Sequence, residues 1–176
     1  MLELIRDVCG PYYLHIKFIH LIAVMAWSWS TAVAYTSFLK PAYIKWKRNP
    51  DNDIWKERRN WAFEQFDRGV VIEHVAFPLL LLSGALLYII GNWNLEFKWL
   101  VLKLCIIAAV FIPMELFDYY LSHMGGNKFH IKKSGDTQRY ERFIQHHWLF
   151  FRITTPLIGI FMPLVIFIAV TKPTWL

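Results

Sequence analysis

Residues 70–90 read VVIEHVAFPLLLLSGALLYII and form one of four long apolar stretches in this 176-residue chain. The other three cover about residues 12–38, 97–121 and 148–171. A helix needs about 20 residues to cross the hydrocarbon core of a bilayer, and each stretch is that long. Since only helices and closed barrels satisfy their backbone groups in lipid, the pattern predicts an all-α fold. We expect an integral membrane four-helix bundle, with residues 1–176 as a single transmembrane domain.

The overall composition supports this interpretation. Hydrophobic residues make up 56% of the chain and aromatic residues 18%, and both values exceed those of an ordinary soluble domain. One apolar stretch is compatible with the core of a soluble bundle, but four such stretches are not. The first expected partner is therefore the lipid bilayer.

The basic residues are distributed unevenly between the two ends of the predicted bundle. Residues 40–68 hold eight Lys and Arg and residues 122–145 hold five, whereas the opposite end offers only Arg6, Lys17, Lys98 and Lys172. The positive-inside rule then places the basic loops in the cytoplasm and both termini outside. The net charge of +6 reflects this topology and contact with lipid headgroups, so we expect no nucleic-acid partner.

Two connecting segments carry most of that charge. Residues 45–68 alternate charged residues with Trp and Phe, a pattern that predicts an interfacial amphipathic helix between helices 1 and 2. Residues 124–136 contain GGNK and KKSGD, which predict a solvated turn.

Several common chemistries have no sequence signature here. Cys9 and Cys105 are far apart and form no CxxC pair, so neither a disulfide framework nor a thiolate metal site is indicated. The chain also contains no glycine-rich phosphate loop, GxSxG elbow or HExxH motif. Hydrolase and nucleotide chemistry are therefore not supported.

His20 and Lys103 are ionisable residues inside apolar stretches, which by default marks a functional site. At 1.5 Å per residue, His20 lies about 12 Å and Lys103 about 9 Å from the same predicted membrane face. Two simpler roles stay open. Lys103 can extend toward the headgroups, and His20 can be a hydrogen-bonded core histidine.

A second polar layer is predicted toward the basic loops. It contains four histidines and three carboxylates near the ends of the predicted helices, and it can be interfacial, with Glu115 or Asp118 pairing with Arg152. It can also hold a haem between His74 and either His146 or His147, because paired imidazoles are ordinary haem ligands. Its members are Glu73, His74, Glu115, Asp118, His123, His146, His147 and Arg152.

Four pieces of the chain, in their order and spacing, are similar to a known family. They are Lys17–His20 followed by Trp27, Phe77–Pro78 with Ser83–Leu87, Trp99–Lys103, and Arg142–Phe143 with Phe151–Arg152, Pro156 and Val170–Pro173. This order resembles the bacterial membrane protoporphyrinogen IX oxidases, the oxygen-independent, haem-binding type with four to five helices. Thr154–Thr155 stands where that family has Asn-Glu, so the chain looks like a divergent relative.

The resemblance implies a membrane oxidoreductase of porphyrin biosynthesis in the bacterial inner membrane, with haem b as its cofactor. His20 and Lys103 would be catalytic, His20 as the haem-iron ligand or a general base and Lys103 beside a propionate. Trp27, Trp99 and Arg152 would complete the tetrapyrrole site, and a quinone or another redox partner would accept the electrons. Two alternatives stay open: a b-type cytochrome subunit of a larger complex or homo-oligomer, and a metal transport or assembly subunit. Both would use His74, His146 and His147.

Overall fold

The computed structural model describes residues 1–173, and residues 174–176 of the predicted domain lie outside this range. Within it the chain forms helices and turns without a strand, which confirms the all-α class. Four helical stretches are long and apolar enough to cross a membrane, as predicted. We call them helices 1 to 4; their bounds are Leu2–Arg48, Asp53–Ile90, Lys98–Ser122 and Thr137–Thr171.

Each long helix except the last is divided into shorter elements. Helix 1 contains α1 (Leu2–Cys9), α2 (Tyr13–Ala34) and α3 (Lys40–Arg48), and helix 2 contains α4 (Asp53–Gly69) and α5 (Val71–Ile90). Helix 3 contains α6 (Lys98–Ile106) and α7 (Ile112–Ser122). The short α8 (Lys128–Lys133) precedes helix 4, which is the single element α9 (Thr137–Thr171).

Two prolines explain where helices 1 and 3 widen. A π-helical turn covers Tyr35–Leu39 just before Pro41, and another covers Ile107–Phe111 just before Pro113. Proline has no N–H and its ring clashes with the carbonyl four residues earlier. A wider turn ahead of the proline relieves that clash and keeps the helix continuous.

The four helices pack so that the first and third meet inside the bundle. The most extensive helix contact joins α2 to α5, and α6 packs against α9. The Trp27 ring of α2 reaches the Phe111 ring of helix 3, with ring centroids 5.1 Å apart. The adjacency of helices 1 and 3, which the sequence left open, is therefore present.

Two hydrophobic clusters are stacked along the bundle. The end that carries residues 40–68 and 122–147 is called the basic end, and the end that carries the N-terminus and the turn at 91–97 is called the terminal end. The cluster at the basic end includes Tyr43, Phe63, Phe66, Ile144 and Phe151. The cluster toward the terminal end includes Trp27, Phe77, Trp99, Leu100, Phe111 and Met162.

The two connecting segments differ in how they match the predictions. Residues 53–69 form α4, capped by Asn52, whose side chain accepts a hydrogen bond from the Trp55 amide. One face of α4 is buried against the bundle, while its location at a membrane interface stays a prediction. The segment 124–136 is more than a solvated turn, because it contains α8 with Lys128 fully buried.

Candidate functional site

The His20 side chain is held by two groups on α5. Its Nδ1 lies 3.1 Å from the Leu80 carbonyl oxygen and 3.0 Å from Ser83 Oγ. A carbonyl oxygen can only accept, so Nδ1 carries the proton and donates it. His20 Nε2 is then an unprotonated nitrogen, and it has no hydrogen-bond partner among residues 1–173.

Gly84 gives the His20 ring its space. A Cβ atom at position 84 would lie 3.3 Å from His20 Cε1, which is tighter than an ordinary contact. The hydroxyl of Ser83 is also fixed, because it donates to the Leu79 carbonyl at 2.6 Å. The ring orientation is therefore determined by one turn of α5, on which Leu80, Ser83 and Gly84 lie next to one another.

Lys103 lies on α6 in the same half of the bundle and is half-buried. It is near enough to His20 to interact with it electrostatically. Its ammonium makes no hydrogen bond or ion pair with any described residue. The structure thus brings the two predicted residues into one region without direct contact.

The other residues predicted for the tetrapyrrole site make contacts of their own. Trp27 is buried between Phe77 and Phe111, and its Nε1 donates to Glu115 Oε2 at 2.8 Å. Trp99 packs against the Trp93 ring at 5.4 Å, near the terminal end. Arg152 is exposed and, within residues 1–173, forms no ion pair with Glu115 or Asp118. The stacking and anion-binding roles of these three side chains therefore stay predictions.

The second polar layer is a compact, buried cluster centred on Asp118. His147 Nε2 donates to Asp118 Oδ1 at 3.0 Å, and His74 Nε2 lies 3.3 Å from Asp118 Oδ2. His147 Nδ1 in turn accepts a hydrogen bond from the Lys128 ammonium. Both nitrogens of His147 are therefore occupied, and the Asp118 carboxylate fills the space between the rings of His74 and His147.

His146 does not join this cluster. It is exposed, whereas His147 has no exposed surface. Consecutive residues on a helix point about 100° apart, so only one of the pair can face the interior. The prediction that either histidine could face His74 is corrected here to His147 alone.

Lys128 and Asp67 form a fully buried ion pair beside His147. The ammonium lies 2.9 Å from Asp67 Oδ1 and also donates to the Leu121 carbonyl at 2.9 Å. The Lys128 backbone amide donates to Asp67 Oδ2 at 2.7 Å. Burial lowers the pKa of Lys128, and the Asp67 carboxylate opposes that shift. The pair fixes α8 against α4.

Three atoms of the cluster have no hydrogen-bond partner within residues 1–173. They are His74 Nε2, Glu115 Oε1 and Asp118 Oδ2. The His74 nitrogen lies 4.0 Å from the Glu115 oxygen, in addition to its 3.3 Å approach to Asp118. No group of three or more His, Cys, Asp or Glu side chains in the described chain has the arrangement of a metal site. These three buried atoms could therefore each form a further hydrogen bond.

Glu73 links this cluster to a cavity in the side of the bundle. Its Oε2 accepts hydrogen bonds from Ser30, at 2.9 Å, and from Thr31. The same residue borders a cavity of about 380 Å³ between α2, α4 and α5, and a void of about 10 Å³ shared with Glu115 and Asp118. Glu73 thus forms part of the wall of both spaces.

No sequence pattern indicated the buried contacts of Asp67, Lys128 and Ser83. Asp67 and Lys128 are 61 positions apart, and no local pattern connects them. Asn127 gave a usable signal, because an asparagine before a basic turn is a common helix N-cap, and its side chain does accept from the His130 amide. Ser83 stands inside one of the quoted motifs, but nothing in the sequence connects it to His20, 63 positions earlier.

No family model, curated protein or solved structure matches this chain. The function is therefore inferred from the residues and their geometry.

Proposed function

We propose that the chain is a multi-pass membrane protein with its basic end in the cytoplasm and both termini outside. The four apolar helices and the concentration of Lys and Arg in residues 40–68 and 122–145 support this orientation. A bacterial inner membrane is the location that the resemblance implies. Cysteine-accessibility labelling at Cys9 and at an introduced cysteine in residues 49–52 would test it.

We further propose that it binds a haem or another tetrapyrrole and acts in redox chemistry. The observation that carries this proposal is the orientation of His20, whose Nδ1 donates to Leu80 and whose Nε2 is left with a free lone pair. Metal-binding histidines commonly donate their other ring N–H to a backbone carbonyl, which fixes the tautomer and orients the ring. His20 therefore fits the role of an axial haem ligand.

Lys103 fits a second role in the same site. Its ammonium is half-buried and has no carboxylate partner among the described residues, so an anionic group of a ligand would offset its cost of burial. A tetrapyrrole carries propionates that meet this need. When bound, haem b supplies an iron that cycles between two oxidation states; the chain contributes the ligand, the cation and the apolar surroundings.

The specific activity proposed is that of a protoporphyrinogen IX oxidase, with electrons passing to a quinone or another membrane acceptor. This step depends on the resemblance in sequence, since the fold alone does not define a reaction. The alternative of a cytochrome that uses His74 and His147 requires the Asp118 carboxylate to leave the space between the two rings. The present geometry favours His20.

An optical spectrum of protein purified in detergent from haem-replete cells tests the proposal. The wild type should show a Soret band, His20→Ala should lose it, and His20→Met should retain haem with a shifted spectrum. His146→Ala is the matched control, because this exposed histidine should have no effect. A wild type without a Soret band, or an unchanged spectrum in His20→Ala, would overturn the proposal. Loss of haem only in His74→Ala would favour the cytochrome alternative.

A further inference from the structure

A chain of titratable side chains runs inward from the basic end. His123 follows α7 and is half-buried, and its Nε2 lies 2.7 Å from Nδ1 of His74. The other nitrogen of His74 faces Asp118 at 3.3 Å and Glu115 at 4.0 Å. Two imidazoles in series therefore join the bundle rim to two buried carboxyl groups.

The next step inward crosses the small void. Glu73, Glu115 and Asp118 all border this space of about 10 Å³, which is enough for one water molecule when several polar groups surround it. Oε1 of Glu115 and Oδ2 of Asp118 are buried there without a hydrogen-bond partner in the described chain. A single water in this position would join them to Glu73.

The inner end of the chain lies at the larger cavity. Glu73 is the only charged residue among those that line this space of about 380 Å³; Ser30, Thr31 and Gln65 are polar, and the others are apolar or glycine. The exposed side chains of Phe38 and Trp61 also line it. A molecule in the cavity would therefore meet one carboxyl group in apolar surroundings.

We propose that these residues form a proton relay from His123, through His74, Asp118 and Glu115, to Glu73 at the cavity. Intramembrane chains of Asp, Glu and His are the usual composition of such paths. The relay is a separate proposal from the tetrapyrrole site, because its residues lie in the other half of the bundle. It would deliver protons to, or remove them from, a molecule that reacts in the cavity.

The individual transfers balance without any electron movement. His123 takes a proton on Nδ1 from water and gives the proton of Nε2 to Nδ1 of His74. His74 then gives the proton of Nε2 to Asp118 Oδ2. Asp118 gives this proton to the bridging water, which gives one of its own to Glu115 Oε1. Glu115 returns that proton to the water, which gives one to Glu73. Each step moves one proton, and the reverse sequence returns it.

The surrounding charges explain why the mobile proton would follow this branch. On the other side of Asp118, His147 is fixed as a donor because its Nδ1 accepts from Lys128, and Lys128 is itself held by Asp67. His74, by contrast, has one nitrogen without a hydrogen-bond partner. The titratable groups within the relay or in contact with it are Glu73, His74, Glu115, Asp118, Tyr119, His123, Lys128 and His147, and Asp67 lies one contact further away.

Hydrogen–deuterium exchange of the buried carboxyl groups, followed by infrared spectroscopy after transfer to D₂O, tests the relay. The wild type should show a carbonyl-stretch band from a protonated carboxyl group that is lost in Glu73→Gln or Glu115→Gln. The rate at which this band shifts after transfer to D₂O should fall on the order of 100-fold in His123→Gln and in His74→Gln. Glutamine can still form a hydrogen bond, but it cannot pass a proton as imidazole does.

His146→Gln and His130→Gln are the controls, because both histidines are exposed and lie outside the chain of contacts. Their exchange rates should equal that of the wild type. The relay would be overturned by the absence of any band that depends on Glu73 or Glu115. It would equally be overturned by wild-type exchange rates in His123→Gln, a rim substitution that leaves the buried cluster in place.

Discussion

The two halves of the bundle use histidine in opposite ways. Toward the terminal end, His20 is held by Leu80 and Ser83 through one nitrogen, and the other nitrogen is left without a partner in the described chain. Toward the basic end, both nitrogens of His147 are bonded, to Lys128 and Asp118. His20 is therefore available to a ligand, whereas His147 contributes to the structure.

This difference shows that the number of polar residues in a region does not indicate how many of their atoms are left without a hydrogen-bond partner. The basic half contains more titratable groups, but most of them satisfy one another. In the terminal half, His20 Nε2 and the Lys103 ammonium have no hydrogen-bond partner among residues 1–173. The exception in the basic half is the set of unpartnered atoms on His74, Glu115 and Asp118.

The largest expected effect comes from breaking the buried pair in the basic half. Lys128→Met leaves Asp67 as a buried charge without its main partner, so we expect a loss of about 3–5 kcal/mol in the free energy of unfolding. Titration with SDS, followed by circular dichroism, measures it. The double variant Lys128→Met/Asp67→Asn should recover most of the loss, because no uncompensated charge is left.

Lys132→Met is the matched control for that measurement. Its ammonium is also 2.9 Å from a carboxylate, that of Glu64, but its side chain is 60% exposed. An exposed pair contributes at most ~1 kcal/mol, so this variant should unfold almost as the wild type does. Equal losses for Lys128→Met and Lys132→Met would contradict the distinction between the two pairs.

A smaller effect is expected at the terminal-half site. Gly84→Ala adds a methyl group next to His20 Cε1, so the ring must move by a few tenths of an ångström. Alanine favours a helix over glycine by about 1 kcal/mol, which offsets the cost of the contact. We expect unchanged or higher thermal stability together with a shifted Soret band or reduced haem content. Gly159→Ala, which meets nothing within 4 Å, should leave the spectrum unchanged.

The smallest expected effect is a dependence of stability on pH at the rim. Burial, together with the positive charge that His74 can carry, lowers the pKa of His123 from its ordinary value of 6.5. The unfolded chain then binds this proton more readily than the folded protein, so stability is full above pH 6.5 and declines as the pH falls through the folded pKa. Thermal unfolding in detergent should show a shallower decline for His123→Gln. An identical pH profile in both proteins would contradict this assignment.

The sequence was sufficient for the parts of the fold that depend on local composition. Four apolar stretches predicted four long helices, which the structure contains. The amphipathic pattern of residues 45–68 likewise predicted a helix, and most of it is present as α4, whereas residues 45–48 belong to α3 and a turn at 49–52 separates the two.

The arrangement of the sites depended on contacts that no local pattern contains. Asp118 lies between His74 and His147 because three helices meet there, and the rotation of each helix is set by its packing. Trp27 and Arg152 were assigned to the tetrapyrrole site from their motifs alone, and packing directs one toward Glu115 and leaves the other exposed. The GGNK and KKSGD pattern predicts a solvated turn around Lys128, and nothing local to it indicates its partner Asp67, 61 positions away.

The buried pair has a consequence for the order in which the protein assembles. Asp67 precedes the apolar part of helix 2, and Lys128 follows helix 3, so during synthesis the acidic residue is made 61 positions before its partner. The two can meet only after the apolar part of helix 2 and the whole of helix 3 have been made and the chain has returned to the basic end. Closure of this contact is thus a late event in biogenesis, and a nascent chain that ends before residue 128 has no means of completing it.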